Sequence, residues 1–212
     1  MIKVKVCGIT NLDDAFAAVD YGADALGYIF ARSPRQVTPE LVKGIIAKLP
    51  PFVCNVGVFV NNDIAEVRET ISFCGLDMVQ LHGDEDPDYC AALFPKSIKV
   101  FTSTNLPAQG DLKRYQVAAF MLDIEKGATI KDTEQRKLWY LARDIAGLYP
   151  IVLAGGLTPE NVGRAIETAR PYAVDVSSGV ESAPGKKDHE KLGIFIQVAK
   201  QTQSGGKVEV TR

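Results

Sequence analysis

The feature that most constrains this chain is a regular alternation that runs from its first residues to about residue 200. Short apolar runs with the pattern of strands occupy Lys3–Cys7, Ala23–Phe30, Phe52–Val60, Leu76–Leu81, Ser97–Phe101, Val117–Asp123, Pro150–Ala154 and Tyr172–Ser177. Between them lie stretches with helical signals. Asp13–Tyr21 is amphipathic and stops at Gly22, Thr38-Pro39 supplies a cap followed by proline at the first helical position, and Asn61-Asn62 cap a helix through about Phe73. Asp86–Leu93, Asp132–Leu148, the segment after Thr158-Pro-Glu-Asn161 and Lys187–Lys200 continue the series. Thr102–Arg114 is the weakest member, because Pro107 and Gly110 interrupt it. Eight strands alternating with eight helical segments imply parallel strands joined by right-handed crossovers, and eight units are the number that closes a barrel. The expected fold is therefore α/β, a single-domain (β/α)8 TIM barrel over residues 1–200, with 201–212 as a polar tail that is mobile and functionally silent. A doubly wound open sheet is the alternative, but the G-x-G-x-x-G expected after its first strand is missing.

Composition narrows the function classes. With 212 residues and 46% hydrophobic content, the chain can fill one core but is short for two. A net charge of -2 and the lack of a basic stripe argue against nucleic acid, so a small molecule is the expected partner. No apolar run approaches the roughly 18 to 20 residues of a membrane span, and the lysines alternating with valines at the N-terminus do not form a leader, so a cytoplasmic protein without membrane association is expected. Cys7, Cys54, Cys74 and Cys90 show no CxxC pairing, and His82 and His189 are the only histidines, so neither a disulfide framework nor a metal site is expected. Helix faces exposed in a monomer and buried in a homodimer read alike, which leaves the oligomeric state open.

In a barrel, chemistry sits at the carboxyl ends of the strands. That rule selects Cys7 after the first strand, Arg32 and Arg35 after the second, His82 after the fourth, Asp123 at the end of the sixth, Gly155-Gly156 after the seventh and Ser177-Ser178-Gly179 after the eighth. Glycines let backbone N–H groups converge on an anion, and the loops after strands seven and eight are the usual phosphate seat, so Gly155, Gly156, Ser178 and Gly179 are candidate phosphate ligands. On this basis alone the commoner reading of Cys7 is a buried structural thiol. Arg32 reads as a solvated loop charge, and the acidic run Asp84, Glu85, Asp86 and Asp88 as a helix N-terminus favoured by its dipole.

Several blocks in order resemble one family, the phosphoribosylanthranilate isomerases of tryptophan biosynthesis. They are Lys5-Val-Cys-Gly-Ile-Thr10, Ser33-Pro-Arg35, Val56-Gly-Val-Phe-Val-Asn61, Val79-Gln-Leu-His-Gly-Asp-Glu85, Leu122-Asp123, Leu153-Ala-Gly-Gly-Leu157 with Pro159-Glu-Asn161, and Asp175-Val-Ser-Ser-Gly-Val-Glu181 with Gly185-Lys-Lys-Asp188. The resemblance implies an Amadori rearrangement of N-(5'-phosphoribosyl)anthranilate, an aminoaldose, to the aminoketose 1-(2-carboxyphenylamino)-1-deoxyribulose 5-phosphate. An acid must protonate the furanose ring oxygen and a base must take the C2' proton. The iminium formed between these steps is its own electron sink, so no cofactor is expected. The resemblance makes Cys7 the base and Asp123 the acid, pairs Arg35 with the anthranilate carboxylate, and places Asp175 on the anthranilate side. His82 is a candidate substrate contact whose ordinary role would be a hydrogen-bonded structural histidine. A thiol base needs help toward thiolate, and Lys5, two residues back on the same strand face, is the expected source of that field; the acid needs a carboxyl raised by burial.

One block departs. After the strand-six aspartate the family usually carries a run resembling Gly-Gly-Thr-Gly-Lys-x-Phe-Asp-Trp, whereas here Ile124–Leu138 holds Gly127 as its single glycine and keeps only Trp139. Three readings stay open: an altered loop with activity kept, an isomerase of a related phosphosugar, and a non-catalytic phosphosugar-binding barrel.

Overall fold

The structure, a computed structural model, describes residues 1–102, 104–124 and 132–202. The expected tail from 203 onward and residues 125–131 of the departing loop lie outside the described residues. Lys3–Cys7 forms β1, and its alternation divides the strand between two environments. Val4 and Val6 belong to the large apolar layer shared with the helices, while Lys5 and Cys7 face the barrel interior. Both faces are buried, as a parallel sheet covered by helices requires. The remaining barrel strands are β2 (Ala25–Ile29), β3 (Cys54–Phe59), β4 (Met78–Leu81), β5 (Ser97–Thr102), β6 (Ala119–Asp123), β7 (Ile151–Leu153) and β8 (Ala173–Val176). Each pairs in parallel with the next, and β8 returns to β1 with Val6 opposite Val176, closing the barrel. Ile98, Val100, Ala119, Met121, Val152, Ala154 and Ala173 fill the interior. The expected fold class holds, and the open sheet is excluded.

Local sequence accounts for most helix starts. Asn11 accepts the Asp14 N–H ahead of α1 (Leu12–Asp20), Thr38 accepts the Leu41 N–H ahead of α2 (Pro39–Ile46), and Asp86 accepts the Tyr89 N–H ahead of α4 (Pro87–Ala92). α3 (Ile64–Cys74) is capped by Asp63 rather than by Asn61-Asn62. Those asparagines are spent on the loop: Asn62 Oδ1 accepts the Val60 N–H, and Asn61, in a left-handed backbone with φ 55°, accepts the Asp84 N–H. The weak fifth segment contracts to one turn, α5 (Gln109–Leu112). α6 (Asp132–Ala146) is long, so residues 132–138 of the departing segment are helix and not loop. α7 (Val162–Ala169) follows the Thr158-Pro-Glu-Asn161 segment, with Asn161 at the N-cap position and its Oδ1 accepting the Thr158 N–H. A short 3₁₀ turn (Ser178–Val180) and a hairpin of β9 (Glu181–Ala183) and β10 (Lys186–Lys187) precede α8 (His189–Gln201).

Two charged arrangements position the mouth of the barrel and its closure. Lys99, 2% exposed, donates to Glu85 at 2.7 Å and to the Gly83 carbonyl at 2.6 Å, while Glu85 accepts the N–H groups of Asn61 and Gly83. Glu85 is thus the buried clasp of the loop bearing His82, a correction to its reading as part of a helix N-terminus favoured by the dipole, which begins only at Asp86. Asp24 accepts from Lys3, from the Val4 N–H and from Lys200, tying the first strand to the last helix. Among the described residues no helix is long and apolar enough to cross a membrane.

Candidate active site

A cavity of about 380 Å³ opens at the carboxyl ends of the strands. Its walls include Cys7, Arg35, His82, Asp123, Gly155, Gly156, Asp175, Ser178 and Gly179, the catalytic, substrate and phosphate candidates expected from the sequence. The volume suits a small molecule. Arg32 stays outside on the exposed loop, as expected of a solvated charge.

Cys7 ends β1 with its thiol beside Gly27 of β2. A Cβ at Gly27 would lie 2.8 Å from Cys7 Sγ and 2.9 Å from Lys5 Nζ, so the glycine makes room for both groups. Lys5 is buried and donates to Asp175 at 2.8 Å across the β1–β8 pairing. Burial lowers the Lys5 pKa, but Asp175 and Cys7 outweigh it and hold the ammonium above its ordinary range. For Cys7, burial pushes the thiol up, Lys5 pulls it down and Asp175 pushes it up again; the net direction is upward. Lys5 does supply the expected field, yet in the open cavity that field does not overcome burial, because Asp175 already neutralises it.

Asp123 projects from β6, with Oδ1 accepting the Ile124 N–H at 2.7 Å and Oδ2 lying 3.7 Å from His82 Nε2. His82 Nδ1 sits 3.3 Å from Gln80 Nε2, which makes a line from β4 to β6 across the mouth. Gln80 was not singled out from the sequence; its position two residues before His82, on the inward face of β4, is the signal that would have found it.

Arg35 is less available than its sequence suggests. Its Nε and Nη2 donate to both oxygens of Glu181, at 2.8 and 2.6 Å. Lys187 Nζ donates to the same carboxylate at 3.0 Å, to the Cys7 carbonyl at 2.6 Å and to the Ser177 carbonyl at 3.2 Å. Burial pushes the Glu181 carboxyl up, but Arg35 and Lys187 outweigh it and hold it below its usual range; burial lowers Lys187, with Glu181 opposing. Glu181 and Lys187 stood in the sequence blocks without a role, since their hairpin carries no strand-length pattern.

In the loop after β7, Gly155 and Gly156 take φ of 89° and 65°, where a side chain is strained. Gln135 of α6 donates to the carbonyls of Gly155 and Gly156 at 3.2 and 2.8 Å, and Asn161 donates to Gly156 at 3.0 Å. Because a trans peptide sets C=O and N–H in opposite directions, holding these oxygens turns the N–H groups of Gly156 and Leu157 the other way. A Cβ at Gly179 would lie 1.9 Å from the Leu157 carbonyl oxygen, so the loops after β7 and β8 meet only because that residue is glycine. Among the described residues no group of three or more His, Cys, Asp or Glu is placed to hold a metal.

Fold and site together define a (β/α)8-barrel protein with one polar, small-molecule-sized mouth that combines titratable groups and glycine turns. Residues 4–198 match the N-(5'phosphoribosyl)anthranilate (PRA) isomerase family, and the chain belongs to that family. It is 51% identical to an N-(5'-phosphoribosyl)anthranilate isomerase of Geobacter metallireducens over 201 residues, 94% of this chain and 100% of the relative. It is similar in structure to the phosphoribosyl anthranilate isomerase of Thermotoga maritima, with a TM-score of 0.82 and 40% identity over 94% of this chain and 99% of the other. A crystal structure of a phosphoribosyl anthranilate isomerase in complex with reduced 1-(o-carboxyphenylamino)-1-deoxyribulose 5-phosphate is similar at a TM-score of 0.79 and 39% identity, covering 94% of this chain and 99% of that one.

Proposed function

We propose that this chain catalyses the Amadori rearrangement of N-(5'-phosphoribosyl)anthranilate, with Asp123 as general acid and Cys7 as general base. The observation that carries the reading is the delivery of both groups, from strands far apart in sequence, to one cavity in a chain of this family. Asp123 donates a proton to the furanose ring oxygen. The C1'–oxygen bond breaks, the anilino nitrogen supplies the electron pair, and an iminium forms at C1'. Cys7, as thiolate, removes the C2' proton; the electrons left behind form the C1'–C2' double bond of an aminoenol, which becomes the ketone by proton transfer to C1'. The sugar rearranges without net oxidation, and side-chain acid and base suffice. The positive charges of Lys5 and Lys187 favour the thiolate against burial.

The other groups hold the substrate. The turn at Gly155 and Gly156, with Ser178 and Gly179 across from it, seats the 5'-phosphate on backbone N–H groups. Arg35 receives the anthranilate carboxylate, His82 stands next to Asp123 on the substrate side, and Asp175 contributes to the anthranilate side while holding Lys5. Incubating purified protein with freshly prepared phosphoribosylanthranilate and following its loss tests the reading. Turnover is expected. Cys7→Ser and Asp123→Asn are each expected to lower kcat by about two orders of magnitude or more with the circular dichroism spectrum retained. Saturable binding without aminoketose would make the chain a non-catalytic barrel, and near-wild-type turnover in either variant would remove that residue's role.

A further inference from the structure

We propose that Glu181, backed by Lys187, is a positioning residue that sets which edge of the Arg35 guanidinium meets the substrate, and so determines selectivity for a carboxylated aromatic ring. The inference rests on the reading of Arg35 as the carboxylate receptor. A guanidinium offers two edges suited to a carboxylate: one formed by Nε and one Nη, the other by the two Nη groups. Glu181 occupies the first edge with both oxygens, at 2.8 and 2.6 Å. The second edge is then the one presented to an incoming carboxylate.

Several contacts restrict the side chains in this arrangement. A Cβ at Gly8 would lie 2.6 Å from Arg35 Cδ, so the arginine stem lies directly over the loop that follows Cys7. The Arg35 N–H is held by Ser33 Oγ at 3.1 Å. Glu181 in turn cannot swing, because Lys187 Nζ, with a fully buried side chain, binds it at 3.0 Å while also binding the carbonyls of Cys7 and Ser177. One ammonium therefore joins the strand end that carries the thiol, the loop after β8 and the carboxylate that aims the arginine. A carboxylate fixed on the remaining edge is fixed relative to Cys7. The charges also suit an anionic guest: Arg35 and Lys187 face the single carboxylate of Glu181, leaving one positive charge for the substrate.

The opposite possibility is that Glu181 competes with the substrate for Arg35 and must be displaced, and the two make opposite predictions. Binding is measured for reduced 1-(2-carboxyphenylamino)-1-deoxyribulose 5-phosphate and for its phenylamino counterpart without the carboxylate. Glu181→Gln is expected to weaken the carboxylated ligand by about 10- to 100-fold and the phenylamino ligand by less than about threefold. Unchanged or tighter binding of the carboxylated ligand would overturn the proposal, as would equal weakening of both ligands. Arg35→Met is the separate control: if it does not reduce the preference for the carboxylated ligand, the reading of Arg35 itself fails, whatever Glu181 does. In wild-type protein labelled with nitrogen-15, the Arg35 Nε–H resonance, assigned by its loss in Arg35→Lys, is expected to stay slow in solvent exchange and little shifted when the carboxylated ligand binds. Exposure of that proton to exchange on binding would show Glu181 displaced and would sink the proposal even if Glu181→Gln did not fold.

Discussion

At the scale of single residues, the thiol of Cys7 shows how a neighbour's charge and a neighbour's neighbour combine. Lys5 stands where period-two alternation puts it, one inward position below Cys7, but its ammonium is paired with Asp175 at 2.8 Å. Burial then decides, and the thiol lies above its ordinary range. A thiol with a raised pKa is protonated near neutral pH and becomes reactive only as pH climbs past the ordinary value of about 8.5. Iodoacetamide is therefore expected to modify Cys7 slowly at pH 7 in the ligand-free protein, at a rate that keeps rising above pH 9, as read by peptide mass spectrometry. Lys5→Met should slow it further, because one of the charges favouring thiolate is gone. Modification at pH 7 as fast as that of a free thiol would contradict the upward direction.

At the scale of elements, the loops at the barrel mouth are held by buried ion pairs more than by their own sequence. Glu85 and Lys99 join the loop after β4 to β5, with both side chains 2% exposed. A buried ion pair contributes little against an apolar replacement, but removing one partner leaves an uncompensated charge. Lys99→Met is expected to destabilise the protein by about 3 to 5 kcal/mol in urea unfolding, and Glu85→Gln in the same chain should recover a substantial part of it. A loss below about 1 kcal/mol for the single change would mean that water reaches Glu85 and that the loop is not clasped as described. The Arg35–Glu181–Lys187 arrangement follows the same logic, with the difference that Arg35 also lines the cavity.

For the whole molecule, closure brings β1 against β8 and α8, and carboxylates hold that closure. Burial raises the Asp24 carboxyl, but its bonds to Lys200, Lys3 and the Val4 N–H outweigh burial and lower it, as Arg35 and Lys187 lower Glu181. A carboxyl with a depressed folded-state pKa adds stability above its unfolded value of about 4, and that stability is lost as pH falls through the folded value. Unfolding free energy is thus expected to be nearly level from pH 7 to about 5 and to decline below about 4, with Asp24→Asn less stable at pH 7 and less steep in acid. A level profile down to pH 3 would remove these carboxylates from the stability of the fold. The sequence by itself determined the alternation, the barrel and the list of strand ends, because periods of two and 3.6 are local properties and strand ends fall at one rim in every closed parallel barrel. The strand-end rule also listed Cys7, Asp123 and the glycine turns, and the ordered blocks resembling one family are what gave Cys7 and Asp123 their expected roles. Only the tertiary structure decided which charge each group meets. Lys5 answers to Asp175 at a separation of 170 residues, and Arg35 answers to Glu181 at 146. Electrostatic pairing depends on distance in space, which no local pattern carries until the barrel has closed.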